Sequence, residues 1–190
     1  MKSSHLLKLI IIALLGTISF VLFFLNFPLP LLPPYLKVDF GDVPALIGAL
    51  ILSPVAGVII IAIKNILYLI IGGGDPVGVV SNFLAAVMFV LPVAIIYHRV
   101  KSVKSIVSGL VTGTIIMAIG MSILNYIVLL PIYALFMGME EMKIEAVKRA
   151  AVIYGILPFN LLKGLIVGLI FVPVFVKLRV WIDKKHVELA

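Results

Sequence analysis

Long apolar blocks, set apart by short clusters of charge and by turn residues, constrain this chain more than any other feature. They cover roughly residues 6 to 32, 43 to 71, 77 to 97, 103 to 136 and 150 to 182. A helix rises about 1.5 Å per residue and the hydrocarbon core of a bilayer is about 30 Å thick, so about 20 apolar residues suffice to cross it. With 64% hydrophobic and only 12% charged residues, the 190-residue chain has too little polar surface to cover itself in water. The composition therefore predicts a lipid bilayer as its solvent. There is no cysteine, which excludes a disulfide framework, a thiolate metal site and a cysteine nucleophile. The net charge of +7 does not point to nucleic acid, because the Lys and Arg residues are scattered thinly between apolar runs.

The second block is too long for one span, and Ser53-Pro54 followed by Gly57 interrupts it. Proline removes a backbone donor and disfavours helix in the residue before it. The expected fold is thus an all-α integral membrane protein of six transmembrane helices, forming a single membrane domain over 1–190. Its helices are expected at about 6–26, 43–53, 55–71, 77–99, 103–133 and 151–180. Short loops rich in Lys and Arg stay in the cytoplasm. Placing Lys2, Lys8, Arg99, Lys101, Lys104, Lys177, Arg179, Lys184 and Lys185 inside requires both termini to be cytoplasmic. The other side then holds Lys37, Lys143, Lys148 and Arg149 among Asp39, Asp42, Asp75, Glu140, Glu141 and Glu145. The first block is too long for a cleaved signal peptide and has no small-residue cleavage site before Pro28.

The outer segment FPLPLLPPYLKVDFGD, residues 27–42, carries four prolines in seven residues, which forbid regular helix and favour extended backbone. An ordered outer loop between the first two helices is expected there. The turn GGGDPVG at 72–78 lacks the Lys-Ser or Lys-Thr of a phosphate loop, leaving a plain turn or a ligand-contacting loop. Segment 137–150 alternates acids and bases and reads as a short surface helix or a solvated linker.

Polar residues inside apolar blocks are costly and so informative. They are Lys64 and Asn65, Asn82, Asn125, Asn160 and Lys163. Lys64 has two readings, a site residue or a lysine snorkelling to the interface. Asn160 and Lys163, three apart, share a helical face, and Lys163 lies about ten residues, or ~15 Å, from the outer end of its span, too deep for easy snorkelling. Asn125 has a similar depth in the fifth expected helix. Two carboxamides and an ammonium converging below an outer loop predict a small polar pocket open to the outside; the competing reading is interhelical hydrogen bonding. Carboxamides pair a donor with an acceptor and an ammonium only donates, a set suited to a planar heterocycle with imide or amide edges rather than to a metal ion. Asp39, with Lys37 and Asp42, is placed on the loop above to meet hydroxyl groups, and Phe40, Tyr126 and Phe159 to contact ring faces.

No catalytic residue and no metal ligand set is expected. His5, His98 and His186 fall at the predicted cytoplasmic ends, and no HExxH, GxSxG or Walker A motif occurs. Without a clear inverted repeat, an independent pump is not expected. The small pairs Ala13 and Thr17, Ala45 and Ala49, Gly109 and Gly113, and Gly164 and Gly168 have helix-packing spacing; one on the first helix can instead face a partner protein.

The stretches YLKVDFGDVPALIGA, SPVAGVIIIAIKN and PFNLLKG, with the chain's size and six-helix layout, resemble the riboflavin-specific S components of energy-coupling factor (ECF) transporters. The resemblance covers nearly the whole chain; the loop and PFNLLKG are its most specific parts. It implies a vitamin-binding subunit of the cytoplasmic (inner cell) membrane, not an enzyme and without a cofactor, that takes up riboflavin, with FMN as a second ligand. It also implies an EcfT membrane protein and two ATPase subunits as partners. Asn125, Asn160 and Lys163 would hold the isoalloxazine ring and the loop around Asp39 would close over it. The S-component pair for EcfT contact, Ala-xxx-Ala, is matched by Ala13 and Thr17, whose second alanine is replaced. An S component for biotin or thiamin is the nearest alternative, although thiamin, a cation, would favour an acidic pocket where the buried charge is expected to be basic; a membrane enzyme or assembly protein is the more distant one.

Overall fold

Ser53 and Pro54 divide the second apolar block as their chemistry requires. In the computed structural model, which describes the backbone of residues 2–189 and the side chains of residues 5–181, helix α2 (Asp42–Ile51) stops before them and α3 (Pro54–Ile70) starts on the proline. The Ser53 hydroxyl accepts a hydrogen bond from the Ala56 N–H at 3.1 Å and caps α3. The expected cytoplasmic residues Lys2, Lys184, Lys185 and His186 lie outside the described side chains.

Around this pair stand α1 (Lys2–Phe23), α4 (Pro76–Val100), α5 (Val103–Leu124), α6 (Leu130–Phe136), α7 (Glu145–Ala150) and α8 (Leu157–Leu189). A π turn at Asn125–Leu129 joins α5 to α6 in one rod, and another at Ala151–Ile156 joins α7 to α8. Each π turn ends two residues before a proline, Pro131 or Pro158. A proline lacks the N–H for the ordinary bond four residues back and its ring presses on that carbonyl. Widening the turn relieves both: the preceding N–H groups, of Leu130 and Leu157, bond five residues back, to Asn125 and Val152.

The protein is thus an all-α membrane protein of six helical segments. Four of them, His5–Phe23, Pro76–Val100, Val103–Phe136 and Glu145–Trp181, are long and apolar enough to cross a bilayer, while α2 and α3 are shorter. One apolar core of α2 to α6, α8 and the chain between α6 and α8 holds them together. Leucine, isoleucine and valine side chains on the outer faces remain exposed, as expected of surfaces whose solvent is lipid.

The segment between α1 and α2 is ordered. Strands β1 (Asn26–Pro28) and β2 (Lys37–Asp39) form an antiparallel ribbon that pairs Asn26 with Asp39 and Pro28 with Lys37. Its proline-rich connection lies against the π turn that leads into α8: a Cβ added to Gly155 would sit 3.4 Å from Pro33 and 3.9 Å from Leu36. Segment 137–150 contains a 3₁₀ turn, Glu140–Lys143, followed by α7.

Helices α4 and α5 approach closely. A Cβ on Gly109 would lie 2.9 Å from the Val93 Cα, and one on Gly113 would overlap the Phe89 carbonyl. Small residues permit this backbone contact where lipid supplies no hydrophobic drive. Gly113→Leu is expected to lower the melting temperature of the detergent-solubilised protein, by an overpacking cost of about 1–3 kcal/mol or more. An unchanged melting temperature would mean that the contact is looser than described.

Candidate functional site

The ribbon, the 72–78 turn and the connection after α6 meet at one end of the bundle, over a cavity of about 560 Å³, within the range of small-molecule sites. Its upper wall includes Asn26, Tyr35, Leu36 and Lys37 from the loop, Asp75 and Gly78 from the start of α4, and Met139. Deeper in are Ser81, Asn82 and Ala85 of α4, Met121 and Asn125 of the α5 rod, and Phe159, Asn160 and Lys163 of α8. Phe23, Tyr68, Leu130, Tyr133 and Ile156 add apolar and aromatic surface. Burial pushes the Tyr35 phenol above its ordinary pKa, so at neutral pH it remains a hydrogen-bond donor at the rim. Toward the other end of the bundle the space is filled by Tyr97, Phe171 and Phe175, with Tyr97 edge-on to Phe175 at 5.5 Å.

Of the residues singled out in the sequence, Asn125, Asn160, Lys163, Asp39, Lys37 and Phe159 line this cavity. Phe40 and Tyr126 do not. Phe40 packs toward Phe27, with ring centroids 6.1 Å apart. Tyr126 points to the segment after α6: its hydroxyl donates to the Glu145 carboxylate, and the Lys148 ammonium lies 4.5 Å above its ring. One helical position beyond Asn125, the side chain has turned out of the site. Ala13 and Thr17 are exposed on α1, and the Thr17 hydroxyl donates to the Ala13 carbonyl at 3.0 Å.

The carboxamides are partly committed. Asn125 and Asn160 each donate one N–H, at 2.8 Å, to the carbonyl four residues back, of Met121 and Ile156. This fixes each amide plane while the second N–H and the oxygen retain bonding capacity. Asn82, singled out as costly but not placed in a site from sequence, lines the same cavity, and its buried Oδ1 has no partner among the described residues. An unpaired buried acceptor costs about 1–3 kcal/mol unless something donates to it. Proline spacing was the available clue to this geometry: the π turns begin at Asn125 and end four residues before Asn160.

Burial draws the charges inward. Asp39 and Asp42, expected on the loop to meet hydroxyl groups, are 1% and 0% exposed, and of the two readings of Lys64 snorkelling is excluded, since it is 1% exposed. With Lys163, 3% exposed, they form a closed set. Lys163 Nζ lies 2.9 Å from Asp39 Oδ2 and 3.2 Å from Asp42 Oδ2; Lys64 Nζ lies 2.8 Å from Asp42 Oδ1 and 3.9 Å from Asp39 Oδ1. Two ammonium groups face two carboxylates, so the buried charge is balanced rather than basic. That balance is what makes burial tolerable, since an unpaired charge in a low-dielectric interior costs several kcal/mol. The turn between the acids is packed tightly: the Gly41 N–H donates to Asp39 Oδ1 at 2.9 Å, the Ser19 hydroxyl donates to the Gly41 carbonyl, and a Cβ on Gly41 would lie 2.8 Å from Lys64 Cδ. No group of metal-ligating side chains occurs among the described residues.

Comparison with known proteins bears on what the cavity takes. The family model for the ECF transporter substrate-specific component matches residues 7–175. The chain is 46% identical to the riboflavin transporter FmnP of Bacillus subtilis (strain 168), over 94% of its own length and 95% of the relative's. It is 42% identical to the riboflavin transporter RibU of Staphylococcus aureus (strain TCH60), covering 90% and 89% of the two chains. A solved structure of the S component of a bacterial ECF transporter superposes with a TM-score of 0.80 at 41% identity, over 93% of this chain and 98% of that one.

Proposed function

Because the chain belongs to the family of ECF transporter substrate-specific components, we propose that it is the riboflavin-capturing subunit of a vitamin importer. It lies in the cytoplasmic membrane with both termini inside and its cavity open to the exterior. The observation that carries the reading is the set of oriented carboxamides at the floor of a cavity of ligand size, in a chain 42–46% identical to two riboflavin transporters.

The isoalloxazine ring is planar and its uracil-like edge alternates acceptor, donor and acceptor. Asn125 and Asn160 offer a free N–H and an oxygen each, Asn82 offers an acceptor, and Lys163 retains donors beyond the one given to Asp39. Together these groups complement such an edge without a net charge. Phe159, Tyr68 and Phe23 supply surface for the ring, and the polar rim of Asn26, Lys37 and Asp75 receives the hydroxylated chain. Asp39 then acts by holding Lys163 and closing the loop rather than by meeting a hydroxyl. A balanced floor favours a neutral ring over cationic thiamin; FMN fits where its phosphate reaches the rim near Lys37.

Binding is tested by titrating the detergent-solubilised protein with riboflavin while following flavin fluorescence. Saturable quenching at one riboflavin per chain is expected, undisturbed by excess thiamin or biotin. Linear, unsaturable quenching, or displacement by either vitamin, would overturn the reading.

Energy comes from the partner module, an EcfT membrane protein with two ATPase subunits, which releases the vitamin inward. The exposed small pair Ala13 and Thr17 suits close approach of an EcfT helix, since the Thr17 hydroxyl is already bonded to its own helix. Ala13→Leu combined with Thr17→Leu is expected to leave riboflavin affinity unchanged and to cut ATP-dependent uptake at least tenfold, read with the complete transporter in vesicles. Equal uptake would place the docking surface elsewhere.

A further inference from the structure

Lys64, Asp42 and Ser19 do not line the cavity, yet they are buried at 1%, 0% and 0% exposure and come from three different helices. All three bear on the turn Asp39–Asp42, which joins the closing ribbon to α2. Lys64 reaches from α3 to Asp42 at 2.8 Å, and Asp42 in turn contacts Lys163 at 3.2 Å. Ser19 reaches from α1 to the Gly41 carbonyl, while the Gly41 N–H holds Asp39 Oδ1 at 2.9 Å. Asp39 Oδ2 then accepts from Lys163 at 2.9 Å.

A lone Asp39–Lys163 pair would leave the ammonium two unassigned donors and freedom to rotate. The charge of Asp42 Oδ2, 3.2 Å from the ammonium and without a hydrogen bond of its own among the described residues, holds Lys163 on the side of the two acids, and the donors not used by Asp39 are left for a ligand. Lys64 is what allows Asp42 to be there, because otherwise two carboxylates would share a single ammonium in a dry interior.

Building on the riboflavin-binding reading, we propose that Lys64, Asp42 and Ser19 are positioning residues: they fix the turn 39–42 so that Asp39 latches the ribbon to α8 and Lys163 presents one N–H to the flavin ring. Ligand retention therefore depends on side chains the ligand does not touch. Loss of the outer pair loosens both the latch and the ammonium, which speeds riboflavin release.

The test compares riboflavin dissociation rates, by stopped-flow flavin fluorescence, for wild type and the Asp42→Asn/Lys64→Met double variant. That variant removes one charge of each sign and keeps the Asp39–Lys163 pair. Dissociation at least tenfold faster is expected. Phe171→Leu, a core change on the far half of α8, serves as the control for general destabilisation and is expected to leave the rate within twofold of wild type. Should the double variant not fold, Ser19→Ala decides, with at least threefold faster release expected. A rate within twofold of wild type in the variant that folds, or an equal acceleration in Phe171→Leu, would overturn the inference while leaving the riboflavin reading intact. A wild-type protein with no saturable riboflavin signal would instead remove the functional reading and this inference with it.

Discussion

Lys163→Met is expected to cost both stability and ligand. Removing this ammonium leaves Asp39 and Asp42, at 1% and 0% exposure, with Lys64 alone. Breaking a buried ion pair by deleting one partner typically costs about 3–5 kcal/mol, because the remaining charge stays buried and uncompensated. Melting curves of the solubilised protein should fall by several degrees or more, with much reduced yield. The loss of a charge-assisted hydrogen bond to the flavin, about 1.5–3 kcal/mol, adds a weakening in affinity of roughly 10- to 150-fold. The two effects separate in Lys163→Met/Asp39→Asn, which restores neutrality. That double variant should recover much of the melting temperature but not riboflavin binding. A single Lys163→Met variant as stable as wild type would show that the four-residue set does not hold its charges in a dry interior.

Asn160→Leu should give the opposite balance, with stability retained and binding lost. The amide's one internal hydrogen bond goes to the Ile156 carbonyl at 2.8 Å, a helix carbonyl whose bonding is little changed when the side chain is replaced by one of similar volume. For a bound ring, however, the substitution removes a donor and an acceptor together, stranding polar atoms of the ligand against an apolar surface. One such unsatisfied group costs about 1–3 kcal/mol, and a site built around hydrogen bonds can lose far more. Riboflavin affinity should fall at least 100-fold by fluorescence titration, with the unliganded melting temperature within a few degrees of wild type. Near-wild-type affinity would remove Asn160 from the site.

Much of this arrangement is legible in the sequence because a bilayer makes polar residues conspicuous. Asn125, Asn160 and Lys163 stand out against apolar neighbours, and the Ser53-Pro54 step marks the boundary of α2 and α3. What escapes sequence reasoning is pairing across distance. Asp39 and Lys163 are 124 residues apart, and no local periodicity tells that two acids next to a proline-rich loop descend into the core to neutralise two lysines. The same blind spot made the buried charge look basic. Side-chain direction is the second gap. Tyr126, one residue past Asn125 and so turned about 100° around the helix, points to Glu145 and Lys148 while Asn125 faces the cavity. Asn82 was conspicuous as a polar residue, but only the fold brings α4 to the wall of the cavity.

The most direct measurement of the central claim is the visible absorption spectrum of the protein purified in detergent with no riboflavin added, taken beside that of the Asn125→Leu/Asn160→Leu variant. A yellow flavin band that travels with the wild-type protein and is missing from the variant is the predicted result. A colourless wild-type protein that stays colourless after incubation with riboflavin and removal of the excess would contradict it.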